Sequence, residues 1–251
     1  MTLAMVLDIE TAPDRALLHR QGLTIHAAQA NPSLHRLSAY AGLSFEVGKD
    51  SLPCRFDMTS ALVAPESSAP VLEDCEPEGH ALATIDAMLQ RLGGGLLITF
   101  NGGRHDLPLL TRRRAAVARR CIAPIVARYE HCDMMHQWRR AVRTGTGRQS
   151  RTWPSLAQIC AQTGIPHDVC NSSGEVCALV RKCETDVLAT FLLYLLHCAG
   201  GDCEAARFCS GWTALAGWCL AAPMQEHRRQ FAFGAGARAA IQRTLGATPL
   251  A

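Results

Sequence analysis

The chain begins Met1-Thr-Leu-Ala-Met-Val-Leu-Asp8-Ile-Glu10, an apolar run that ends on two carboxylates. Leu3 to Leu7 is an unbroken apolar run, the pattern of a buried strand, with no room for a signal peptide before it. Residues two apart on a strand share a face, so Asp8 and Glu10 leave the sheet on the same side. Two carboxylates crowded at the end of a buried strand repel each other unless a cation lies between them. Mg2+ or Mn2+ is the natural cation for an all-oxygen donor set. The competing reading is a strand end that turns into solvent with two hydrated acids, and the rest of the chain decides between the two.

Outward from this strand, Thr11-Ala-Pro-Asp14 reads as a break, followed by a polar helix-like stretch to about Ala30 and a turn at Asn31-Pro32. Leu37 to Val47 alternates as a strand, and Ser51 to Val63 reads as another, which together suggest an antiparallel start. The segment 64–77, rich in Pro, Ser and Glu, is expected to be a loop. Leu82, Ile85, Met88, Leu89 and Leu92 recur at helical spacing, and Gly93-Gly-Gly95 ends that helix. Leu96-Leu-Ile-Thr-Phe100 is a short apolar strand of the kind buried on both faces. Gly102 and Gly103 then permit a sharp turn into a helix, which places Asp106 near the helix start at a strand's carboxyl end. In open α/β sheets ligands bind there.

Further on, 125–129 reads as a weak strand, and a helix is expected from Asp133 through Arg140. Residues 144–152 read as a basic loop, and Leu156 to Thr163 as a short helix stopped by Gly164 and Pro166. Residues 174–199 form the longest helical pattern, carrying Glu184, Asp186 and then an apolar stripe; 202–220 reads as one more helix. From Gly234 the Gly and Ala content predicts a loosely held tail.

Asp8, Glu10, Asp106 and Asp186 thus form a set drawn from two strand ends, a helix start and a long helix. Val6-Leu-Asp8-Ile-Glu10-Thr11 is one motif and Thr99-Phe-Asn101-Gly-Gly-Arg-His-Asp106-Leu-Pro108-Leu-Leu110 a second. Cys183-Glu184-Thr185-Asp186-Val187-Leu-Ala-Thr190 is the third, with lesser matches at His131-Cys-Asp133-Met-Met and Ser155 to Pro166. In this order they resemble the DEDD superfamily of 3′–5′ exonucleases, most closely the stand-alone bacterial type similar to the proofreading domain of family-B DNA polymerases. The resemblance covers about residues 3–200.

It implies an α/β, ribonuclease H-like fold: a mixed β-sheet flanked by α-helices, with additional C-terminal helices. Residues 1–200 would be the exonuclease domain, 201–233 a helical extension packed on it and 234–251 a flexible tail. It further implies two Mg2+ or Mn2+ ions held by Asp8, Glu10, Asp106 and Asp186, and hydrolysis of single-stranded DNA or short RNA from the 3′ end. Thr11, Asn101 and Arg104 would contact substrate, and Phe100 or Trp153 could stack on a base. Any proofreading or repair role would need a separate polymerase or repair partner.

Two positions depart from the family's pattern. The family places Tyr four residues before the last Asp, where Lys182 stands here, and a related branch places His five before, where Arg181 stands. Lys182 is one helical turn from Asp186. It either pairs with an acid, hydrogen-bonds the activated water (with a lowered pKa if it is to be a base), or substitutes for a metal charge and weakens the site. The last case supports an alternative, a catalytically weakened exonuclease-fold protein that binds nucleic acid or a partner protein. His105 stands where the family usually has an aromatic residue.

Composition agrees with this reading without specifying it. At 251 residues, 48% hydrophobic and 19% charged, the chain can bury the core of one large domain, or of one domain with an appendage. The longest apolar run, Val187 to Leu196, is interrupted by Thr190 and too short to span a bilayer, so a cytoplasmic location is expected. Of 25 cations only Lys49 and Lys182 are lysines. Arginines cluster at Arg112-Arg113-Arg114, Arg119-Arg120, Arg139-Arg140-Arg143, Arg148-Arg151 and Arg228-Arg229. Guanidinium forks suit a phosphate backbone, although arginine-rich codon usage and solvated helix faces account for the same clusters. The 12 cysteines contain no Cys-x-x-Cys pair and read as reduced thiols; a zinc site from His197, Cys198 and Cys203 is the one alternative.

Overall fold

The computed structural model describes residues 1–48, 52–64, 75–118, 125, 128–146, 154–167, 178–199, 202–221 and 225–246. Strand β1 (Thr2–Pro13) lies at the centre, and its Ala4, Met5, Val6 and Leu7 are all buried. Ala4 and Val6 enter one apolar cluster while Met5, Leu7 and Ile9 enter another, so the strand's alternation divides the core between two faces of the sheet. Strand β2 (His35–Val47) pairs with β1 antiparallel, and β3 (Pro53–Ala64) pairs antiparallel with β2. Strand β5 (Leu96–Thr99) lies parallel on the other side of β1. Edge strands β4 (Cys75–Pro77) and β6 (Glu130–Asp133) are parallel to β3 and β5. Among the described residues the sheet order is β4-β3-β2-β1-β5-β6.

Helices cover both faces. On one, α3 (Glu78–Leu92) and α4 (Asp106–Ala118) bury Leu82, Ile85, Leu89, Leu107 and Leu110 against Met5, Leu7 and Ile9. On the other, α7 (Ala178–Cys198) lays Val187, Leu188, Phe191 and Leu192 over Val6, Ala39, Ala41 and Leu43. Phe191 meets Phe45 edge-on at 5.0 Å and Phe56 at 5.4 Å, the geometry aromatic quadrupoles prefer. Two short helices, α1 (Arg15–Arg20) and α2 (Ile25–Ala30), bury Leu18 and Ala28 with Leu34. Helices α5 (Met134–Thr146) and α6 (Leu156–Thr163) precede α7, and α8 (Asp202–Ala221), α9 (Glu226–Phe233) and α10 (Ala235–Gly246) follow it. A mixed sheet with an antiparallel start, helices on both faces and further C-terminal helices is the expected α/β, ribonuclease H-like arrangement.

Four local expectations are corrected. Strand β1 does not break at Thr11: a register shift between Glu10 and Thr11 lets it continue to Pro13, a strand-end position that needs no donor. The polar stretch after it is two helices separated around Gly22 at φ +63°, not one. The strand expected over 125–129 lies instead at Glu130–Asp133; residues 126–127 are outside the described ones. Residues 235–246 are a helix with Ala237 and Ala240 buried rather than part of a loose tail. Most of the loops expected over 64–77 and 144–152 falls outside the described residues, although Cys75–Pro77 is β4 and α5 runs to Thr146.

Candidate active site

The alternation of β1 places Asp8 and Glu10 in phase with Ala4 and Val6, on the face covered by α7. Opposite them on β2 stand Ala41 and Ala39, small residues that leave space above the strand. Helix α7 brings Lys182, Cys183 and Asp186 to the same place. One ligand atom each from Asp8, Glu10 and Cys183 lie within 4.8 Å of one another.

The turn after β5 delivers Asp106. Asn101 takes φ +62°, and Gly102 packs so tightly that a Cβ there would lie 2.5 Å from the Thr99 side chain. Asp133 on β6 holds this turn, its Oδ1 accepting from Asn101 N at 2.9 Å and its Oδ2 from Gly103 N at 3.0 Å. Thr99 Oγ1 lies 2.9 Å from His131 Nε2, tying β5 to β6 beside it. Asp106 therefore begins α4 almost fully buried, and His105 Nδ1 donates to its Oδ1 at 3.0 Å.

Electrostatically the carboxylates of the site outnumber the cations that face them. Burial pushes the Asp8 carboxyl well above its usual range, and the charges of Asp186, Asp106 and Glu10 push it further; Lys182 opposes them only in part. Burial likewise raises Asp106 against the opposing contact with His105. Asp8 Oδ2 and Asp106 Oδ2 are buried with no hydrogen-bond partner among the described residues. Burial and the Asp8 and Glu10 carboxylates also push the Cys183 thiol up, which keeps it protonated.

Lys182 pairs with Glu10 Oε1 across the site and with Asp186 Oδ2 at 3.0 Å along its own helix. Burial alone would lower its ammonium, but Asp186, Glu10 and Asp8 outweigh burial and hold it above the ordinary lysine value. Lys182 is held as a charged ammonium between these carboxylates. Asp186 Oδ1 is bound as well: His167, just past α6, donates from Nε2 at 2.7 Å.

His167 and Cys183 are the site neighbours that sequence reasoning missed. Cys183 was visible only as a motif neighbour of Asp186, and nothing in Gly164-Ile-Pro-His167 marks a polar role apart from the Pro that turns the chain.

Among the expected substrate contacts, Asn101 and Arg104 line a cleft of about 270 Å³ together with His105 and Met135. The Thr11 hydroxyl is instead 3.0 Å from His35 Nδ1. His35 Nε2 faces the Ala28 carbonyl at 3.1 Å, so Nε2 donates there and Nδ1 accepts the Thr11 proton. Phe100 packs against the α7-side cluster, and Trp153 lies outside the described residues.

Three arginines expected to follow phosphates are engaged within the fold. Arg113 bridges Glu78 and Asp14, Arg114 pairs with Asp86, and Arg228 is buried against Glu184. Arg119, Arg120, Arg148 and Arg151 lie outside the described residues, as do the side chains of Arg143 and of Cys203 in the zinc alternative. No helix among the described residues is long and apolar enough to cross a membrane.

Comparison with models of protein families and with curated proteins finds no match. Among solved structures the chain is similar to E. coli exonuclease I in complex with a dT13 oligonucleotide: 13% identity, 79% of this chain and 41% of that one, TM-score 0.46. It is also similar to the family B DNA polymerase of Pyrobaculum calidifontis, at 12% identity over 87% of this chain and 29% of that one, TM-score 0.45. A third likeness is to the RNase domain of yeast Pop2, at 10% identity over 76% of each chain, TM-score 0.40. The chain thus spans less than half the length of the first two.

Proposed function

We propose that this protein is a metal-dependent nuclease that removes nucleotides from the 3′ end of single-stranded DNA or short RNA. The observation that carries the reading is the meeting of Asp8, Glu10, Asp106 and Asp186 at one place, with buried carboxylate oxygens of Asp8 and Asp106 left without a donor. Leaving such an oxygen uncompensated costs on the order of 1–3 kcal/mol or more, and a divalent cation is the group that removes that cost. The donor set therefore fits Mg2+ or Mn2+. When bound, the cations activate a water and stabilise the departing 3′ oxygen; two ions is the number the resemblance implies.

The chain's own residues supply the rest. Asp8 and Asp106 hold the cation, while Lys182 stays charged and presents a fixed ammonium to the phosphate. Asn101 and Arg104 line the cleft beside Asp106 and receive the terminal nucleotide. Residues 1–200 form the catalytic unit in this reading, and 201–233 an extension that supports it.

A second reading, a binding protein that has lost catalysis, is favoured by Lys182, which stands as a paired ammonium where the resemblance implies a Tyr hydroxyl that orients the attacking water. Degradation of 3′- and 5′-labelled single-stranded DNA and RNA with Mg2+ or Mn2+ separates the two. Shortening from the 3′ end that is absent in Asp8→Ala and Asp186→Ala is expected. A folded, metal-supplied wild type that binds the strand without shortening it, and that gains strong cleavage as Lys182→Tyr, supports the second reading.

A further inference from the structure

The polar partners within the site are unevenly distributed. Both oxygens of Asp186 are in use, Oδ1 by His167 at 2.7 Å and Oδ2 by Lys182 at 3.0 Å. Glu10 gives Oε1 to the same ammonium. Asp106 uses one oxygen, for His105, while its Oδ2 is buried and unpartnered in a residue only 5% exposed. Asp8 Oδ2 is also buried and unpartnered, in a residue of intermediate exposure. One half of the carboxylate set is therefore already neutralised by the chain, and the other half is open.

We propose that the Lys182 ammonium takes the place of one divalent ion between Glu10 and Asp186, so that the site binds a single divalent ion, held by Asp8 and Asp106. This rests on the metal-dependent reading above and changes its stoichiometry from the two ions expected.

Lys182 and Asp186 are separated by four residues on one helix, so the ammonium is delivered to Asp186 by the fold and does not have to be recruited from solution. A divalent ion entering between Glu10 and Asp186 would have to break both ion pairs and leave the lysine beside a second cation. At Asp106 the neighbouring His105 engages only Oδ1, and the unpartnered Oδ2 atoms of Asp106 and Asp8 are hard donors suited to Mg2+ or Mn2+. An ammonium carries three N–H groups. Glu10 and Asp186 take two of them, and the third is available to a phosphate oxygen of the substrate.

The test is the number of ions bound by the whole, metal-stripped chain, titrated with Mn2+ and read by calorimetry and by loss of the free-ion electron paramagnetic resonance signal. One equivalent is expected for wild type and two for Lys182→Met, with Lys182→Gln as a second variant and circular dichroism as the check on folding. Asp106→Asn, which removes a ligand, should weaken the wild-type ion by more than Asp186→Asn, which removes only a neighbouring charge at a cost of about tenfold to a hundredfold. Two equivalents in wild type, or a folded Lys182→Met and Lys182→Gln that both still bind one, overturns the proposal and leaves the metal-dependent reading standing. A wild type that binds neither Mn2+ nor Mg2+ overturns that reading itself, and the proposal with it.

Discussion

At the scale of single residues, Asp8 is the group whose chemistry conflicts most with its position. Its carboxyl is raised first by burial and then by three neighbouring acids. An acid whose folded pKa lies above its unfolded one lowers stability as pH rises through that interval, and the loss is complete above it. At neutral pH Asp8 therefore destabilises the metal-free fold. Asp8→Asn should melt higher than wild type in the presence of a chelator, by about 2–4 °C for each kcal/mol relieved in a chain of this length. It should also lose the stabilisation that Mn2+ gives wild type. A variant that melts lower than wild type under chelation would mean that Asp8 is satisfied by a partner within the fold. The spacing of Asp8 and Glu10 made this site legible, because a strand's period of two is a local property. The contacts of Lys182 with Glu10 and of His167 with Asp186 were not legible: the first is made by the packing of α7 on β1, the second by the segment after α6 meeting α7.

At the scale of elements, α7 is held in place by a polar clamp on the side away from Lys182. Glu184 is buried and accepts from Ser60 on β3 at 2.5 Å, from His227 at 2.6 Å and from Arg228 at 2.9 Å, both on α9. Burial raises its carboxyl, but these partners outweigh burial and hold it below the ordinary glutamate value. A depressed acid contributes stability that is present above its unfolded pKa and is lost as pH falls through the folded one. Wild type should therefore lose stability on acidification below about pH 4.3, the ordinary glutamate value, more steeply than Glu184→Gln does. Removing one partner alone is the costly change: Arg228→Met should lose about 3–5 kcal/mol in urea unfolding, because it strands a buried carboxylate. The double variant Arg228→Met with Glu184→Gln should lose less than the sum of the two single changes, and strict additivity would show that the pair is not coupled. Helices α3 and α7 were legible because they bury long apolar stripes. Strand β6 was missed because Glu130-His-Cys-Asp133 is a half-exposed edge with no apolar run. Helix α9 lies within the expected helical extension 201–233, but its own bounds were not read, since one of its buried residues is an arginine.

At the scale of the molecule, a central strand divides two cores, and the helices after α7 extend the core on the site's side. Composition suggested a loose tail beyond Gly234, because Gly and Ala carry little apolar surface and Gly frees the backbone. Here the small residues do the opposite. Gly236 seats the Trp212 ring so closely that a Cβ would lie 2.3 Å from it, and Trp212 Nε1 donates to the Phe231 carbonyl at 2.9 Å. Ala237 and Ala240 are buried in the same cluster as Phe191 of α7. The small side chains let α10 approach α8, a packing role that composition cannot distinguish from disorder. Gly236→Val should consequently destabilise the whole domain by about 1–3 kcal/mol in urea unfolding, as an overpacked contact does. Gly217→Ala, in α8 with no atom near the added methyl, should be neutral or stabilising by about 0.5–1 kcal/mol, which controls for backbone freedom alone. If Gly236→Val unfolds at the wild-type midpoint while Gly217→Ala behaves as expected, α10 is not docked on α8 and the loose tail is the right description. If Gly236→Val is destabilised and its unfolding stays a single transition, the C-terminal helices fold as one unit with the sheet that carries Asp8 and Glu10.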